Sequence, residues 1–149
     1  MHRPAEPAKR VQLPPSAFSI SSQRADKMKQ KDKPGKQGQK ELAFWAADCA
    51  EQVLPYFEKE RPKDGRPRKA IEAARAWARG EITVGEARKA AFGAHAAARS
   101  VDEAAARAAA RSAGHAAATA HVAGHASHAA DYAAASAAGR LGRLRKEPF

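Results

Sequence analysis

Residues 101–138 hold 20 alanines and no proline, and this stretch limits the possible folds more than any other feature of the chain. Alanine is the strongest helix former because it loses no side-chain entropy on ordering. It also buries little apolar area. Helices made of it form readily but cannot hold a wide core, so their backbones must approach closely with small side chains between them. No segment alternates apolar and polar residues at the period of a strand. The expected fold class is all-α: a compact alanine-rich bundle of four or five helices, preceded by a disordered basic arm. Alanine supplies 40 of the 149 residues overall, so a second subunit that completes the core, as in a homodimer, is a further expectation.

The punctuation divides the rest. Residues 1–38 carry five prolines, Gly35 and Gly38, and the run KMKQKDKPGKQGQK, which has neither helical nor strand period and reads as a flexible basic arm. A helical domain is expected over 39–140, with a short basic C-terminal tail at 141–149. The first firm helix is predicted over 41–60, where Leu42, Trp45, Ala46, Cys49, Val53 and Tyr56/Phe57 recur at three and four. Pro55 inside it lacks the N–H for Glu51, which suggests a kink or a restart. Pro67 suits the first turn of a second helix that Gly80 can end in the left-handed region, with Ile71, Ala74 and Trp77/Ala78 facing inward. Thr83 with Glu86 has the spacing of a capping box, and Ser100 with Glu103 repeats it. The segment 101–138 is then either one bent helix or two; the bend, at Gly114 or Gly124, is the expectation. A single straight helix would be about 57 Å long.

The formal charge is +11. Residues 1–40 have ten Lys/Arg against three acids and account for +7, and 41–149 have seventeen against thirteen, for +4. A basic tail attracts any polyanion and also keeps a chain soluble. Nucleic-acid contact through residues 1–38 is therefore one reading. There is, however, no helix-turn-helix pattern, no GxxG clamp and no aromatic spacing for base stacking. KPGKQGQK lacks the spacing of a P-loop. The single cysteine, Cys49, excludes an internal disulfide and reads as a small buried hydrophobe without an activating His or Lys on its helix. No run is long and apolar enough for a membrane span and no apolar leader opens the chain, so a cytoplasmic protein is expected.

The concentrated chemistry is TAHVAGHASHAADY, residues 119–132. On one helix, taking His121 as the origin, His125 sits at about +40°, His128 at about −20° and Tyr132 at about +20°. Glu103, Arg107 and Gly114 align with them, whereas His115 lies about 120° away, on another surface. Three readings stand open. The pair His121 and His125 can chelate zinc, nickel or copper, with His95 or Asp48 as a further ligand. His128 is about 10.5 Å along the axis from His121, too far to share that ion. No HExxH occurs, so a metalloprotease is excluded. Alternatively, the imidazoles fill space between alanine-lined helices, or they form a polar seam that recognises a partner with sensitivity near neutral pH. Around Arg66, Arg68 and Lys69 an anion site at a helix start competes with pairing to Asp64, Glu72 and Glu58. No catalytic constellation stands out, and a non-enzymatic interaction protein without a cofactor is the leading reading.

Two blocks go beyond alanine bias: D-x-R-P-R-x-A-I-E-A-A-R-x-W, Asp64 to Trp77, and G-H-A-x-x-T-A-H-V-x-x-H-A, Gly114 to Ala126. With ELAFWAADCAEQVLPYFE before them, they resemble the Imm-5-like immunity proteins, small bacterial α-helical proteins attached to polymorphic toxin systems. The resemblance covers residues 41 to about 138 and leaves out the basic arm. It implies a cytoplasmic protein that binds and silences a cognate protein toxin through surface complementarity, without turnover. The residues expected to form the partner-binding or structural polar face are His121, His125, His128 and Tyr132, with Asp64 and Arg66 next.

Overall fold

The computed structural model describes residues 35–146, with side chains as far as residue 139. Five α-helices follow one another: α1 (Lys36–Glu60), α2 (Arg66–Ala78), α3 (Val84–Arg99), α4 (Ala104–Ala118) and α5 (His125–Lys146). Among the described residues there is no strand. The arm expected over residues 1–38 lies almost entirely outside the described residues. Its last three positions, Lys36–Gly38, already belong to α1. At the other end α5 runs through residues 141–146, where a tail was expected.

The order of packing follows from residue size. α4 has the smallest side chains and sits at the centre, against α1, α2, α3 and α5. Of the buried hydrophobic residues among those described, 24 are alanines and seven are larger, which is the thin core that the composition requires. Serines replace bulk where α4 and α5 meet. The Ser112 hydroxyl donates to the Ala129 carbonyl at 2.7 Å and Ser136 to that of Ala105 at 2.7 Å, a reciprocal pair of bonds between two closely packed backbones. Four of the seven larger groups, Cys49, Val53, Leu54 and Phe57, come from α1, and the others are Ile71 and Trp77 of α2 and Val101 in the connector. Leu54 and Ile71 join the alanines of α1–α5 in one cluster, while Val53 and Phe57 join the one formed with α3, Val101, α4 and α5. Trp45 packs against both clusters.

Helix ends have specific causes. Pro55 does not restart α1, which runs as one helix from Lys36 to Glu60 with the proline on its exposed side. α2 begins beside Pro67 and ends in a Schellman arrangement: Gly80 has φ +80°, its N–H bonds the Trp77 carbonyl, and the Glu81 N–H bonds that of Ala76. The capping box at Thr83 and Glu86 forms with both of its bonds. Ser100 and Glu103 do not repeat it. The Ser100 hydroxyl closes α3 by donating to Ala97, Val101 is buried in the connector, and Glu103 itself is the N-cap of α4, accepting from Ala105 and Ala106.

The alanine-rich segment is two helices with a turn at 119–124, rather than one bent helix. A residue 80 positions away closes the end of α4: the Gln39 carboxamide donates to the carbonyls of Thr119 and Ala120 at 2.9 and 3.1 Å. Those bonds satisfy carbonyls that a helix end leaves open. The reversal then lets α5 bury its alanine face along α4.

Candidate interaction site

The reversal at 119–124 decides which histidines meet. His121 lies in the turn, exposed and outside the ring contacts, so the stripe drawn through 121, 125 and 128 does not exist on one helix. His115, assigned by helical angle to another surface, stands at the centre. Its ring centre is 5.0 Å from that of His95 on α3, and 5.1, 5.3 and 5.3 Å from those of His125, His128 and Tyr132 on α5. The Tyr132 ring is parallel to it within 7°. Four imidazoles, a phenol ring and Arg111 thus form one seam across α3, α4 and α5. His95, Arg111, His115 and His125 are half-buried, while His128 and Tyr132 reach the surface.

Hydrogen bonds assign protons within it. Nη1 of Arg111 lies 3.1 Å from Nδ1 of His95. A guanidinium only donates, so that nitrogen accepts, and His95 is neutral with its proton on Nε2. The Nδ1 atoms of His115 and His125 are 3.0 Å apart. The two rings are 5.1 Å apart between centres and inclined by 29°, and at that Nδ1–Nδ1 approach one nitrogen donates and the other accepts. This pair carries at most one positive charge.

The surroundings reinforce neutrality. Burial first, then the positive field of Arg111, His125 and Arg99, pushes His95 down to about 4. Burial first, then His95, His125, His128 and Arg111, pushes His115 down to about 3. Room for the rings comes from glycine. At Gly114, one turn along α4 from Ala110 and Arg111, no Cβ separates the His95 ring from the helix backbone.

The second candidate cluster is self-contained. Asp64 accepts from Nε and Nη2 of Arg66 at 2.9 and 2.7 Å and from the Arg66 backbone N–H at 3.1 Å. The Arg66 bond holds the Asp64 carboxyl below the usual carboxylate range. Arg68 grips Glu58 with two bonds of 2.8 Å. These pairs fix the connector and join α2 to α1. The remaining candidates are placed as follows: Glu103 caps α4, Arg107 donates to the carbonyls of Val101 and Asp102, and Asp48 pairs with Arg75.

Among the described residues, no group of three or more His, Cys, Asp or Glu side chains is arranged to hold a metal ion. Cys49 is fully buried, and burial pushes its thiol up to about 12. No described helix is long and apolar enough to cross a membrane. His95, Arg111 and His115 were outside the expected face. The signals for them were the glycine at 114, which leaves room for a ring, and the spacing of His115 from His125 and His128, which suits a hairpin.

Neither a curated protein nor a solved structure matches the chain. A family does match, the one described as Imm-5 like putative immunity protein, over residues 32–147. That span takes in all five helices and every residue of the histidine seam, and the chain belongs to this family.

Proposed function

We propose that this protein neutralises a cognate protein toxin by binding it, without turnover, in the cytoplasm of the cell that makes both. Membership of the immunity family carries the reading. The seam of His95, Arg111, His115, His125, His128 and Tyr132 is its proposed contact surface. It combines features of an interface centre: partly desolvated polar groups, aromatic and arginine side chains, and a fixed arrangement held by three helices. His121, in the adjoining turn, and the Asp64–Arg66 connector are proposed to lie at the rim, where contacts contribute less.

The test is recovery of the tagged protein from its own host, followed by native mass spectrometry and identification of any bound chain. A stoichiometric protein partner that arrests growth alone, and does not when this protein is co-expressed, is the expected result. A chain recovered alone, together with no protection against any toxin encoded beside its gene, would overturn the reading.

A further inference from the structure

Two arginines among those described are drawn out of water more than the rest, Arg75 and Arg111; the others are exposed. Arg75 is neutralised by two carboxylates of α1, Asp48 and Glu51. Arg111 has none. Among the described residues its hydrogen-bond partner is the neutral Nδ1 of His95, and no carboxylate there forms an ion pair with it. The charges acting on the two deepest rings, His95 and His115, come from Arg111, Arg99 and other histidines. Among the described residues the seam therefore holds a half-buried arginine with no carboxylate paired to it. A partly desolvated cation without a counter-charge is unfavourable in the free protein and becomes favourable when an anion arrives.

We propose that Arg111 is the receptor for a side-chain carboxylate on an acidic segment of the partner protein, with His115, His125 and His128 lining the approach. This rests on the reading of the seam as the toxin-binding surface and names the chemistry it recognises. A guanidinium fork matches a carboxylate with two parallel bonds. The imidazoles beside it supply N–H donors to a polar neighbour on the same segment. A nucleic-acid strand fits less well, since phosphates along a backbone need a row of cations. The Tyr132 ring, lying parallel to that of His115, also has one face already taken.

The experiment uses the full chain and a fluorescein-labelled hexaglutamate peptide, followed by anisotropy at constant salt. The basic N-terminal residues attract the peptide equally in every variant, so the comparison between variants is the readout. Arg111→Gln should weaken binding about ten-fold. Arg111→Lys, which keeps the charge and loses the fork, should fall between. Arg107→Gln, on an exposed arginine of the same helix, should stay within about two-fold. An Arg111→Gln affinity equal to that of the unaltered chain would overturn the proposal. So would duplex DNA depending on Arg111 as strongly as the peptide does. A measurement without any variant guards against misfolding: the ring Cε1–H signals of His115 and His128 should shift on peptide addition, and their constancy would also refute the assignment. If a toxin complex survives Arg111→Gln unchanged, the carboxylate receptor falls and the immunity reading stands. If hexaglutamate binds at Arg111 and no toxin partner exists, the reverse holds.

Discussion

The imidazole of His95 lies against the backbone of Gly114, so closely that a Cβ on that glycine would stand 2.7 Å from both Cε1 and Nε2 of the ring. Gly114 is helical and makes no use of a positive φ. Helix propensity alone would favour Gly114→Ala by about 1 kcal/mol. The contact reverses the sign, because the ring must leave its bond to Arg111. The expected result is a net loss of about 1–2 kcal/mol in urea unfolding, together with a rise of the His95 pKa toward its ordinary range by NMR. In a His95→Ala background the same substitution should become neutral or stabilising, and a double-mutant cycle measures the difference. A Gly114→Ala variant more stable than the parent in both backgrounds would refute the contact.

Stability should fall with acid well before the carboxylates protonate. His95 and His115 are held near 4 and 3 in the folded chain, against about 6.5 when unfolded. Depressed histidines leave the unfolded state with more bound protons, so their contribution is complete above about pH 6.5 and is lost as pH falls toward 4. With a discount for solvent access, the two rings together should lose on the order of 2 kcal/mol between pH 7 and 4.5. Urea titrations across that range read the slope directly. His115→Gln should flatten it.

Where α4 meets α5, volume should matter more than hydrogen bonding. The Ala129 carbonyl that accepts from Ser112 lies in the interior of a helix, so Ser112→Ala should cost only about 0.5–1 kcal/mol. Ser112→Leu has to push the α4 and α5 backbones apart and should cost about 3 kcal/mol or abolish the cooperative transition. Thermal melts of the pair separate the two effects.

Cys49 should be inert in the native protein. Its thiol is fully buried and pushed up to about 12, so thiolate is scarce at neutral pH. Reaction with a thiol reagent such as dithionitrobenzoate should proceed at the rate of unfolding and become immediate in denaturant. Prompt labelling under native conditions would show that α1 opens.

The start of α4 depends on one carboxylate. Glu103→Ala removes the acceptor for the Ala105 and Ala106 N–H groups and should cost about 1 kcal/mol. Ser100→Ala removes only a local bond to Ala97 and should cost about half that or less. Equal effects would restore Ser100 as the cap.

Local rules carried far in this chain. Pro67, Gly80 and the Thr83–Glu86 pair mark helix boundaries because each acts on its own neighbouring backbone. The inward faces of Ile71, Ala74 and Trp77, and of Ala87, Ala91 and Ala94, follow from periodicity alone. Alanine content set both the all-helical class and the thin core. What residues 101–138 do was beyond such rules, because alanine favours helix equally on either side of a turn. The antiparallel packing of α4 on α5 rewards the reversal, and Gln39, 80 positions away, satisfies the carbonyls it leaves open. That one event reassigns the chemistry. On a continuous helix His115 and His125 would be about 15 Å apart along the axis, and across the hairpin their Nδ1 atoms are 3.0 Å apart. Helical angle is a property of one element and can be read from spacing, whereas proximity between elements depends on where the chain turns, and here only the tertiary structure decides that.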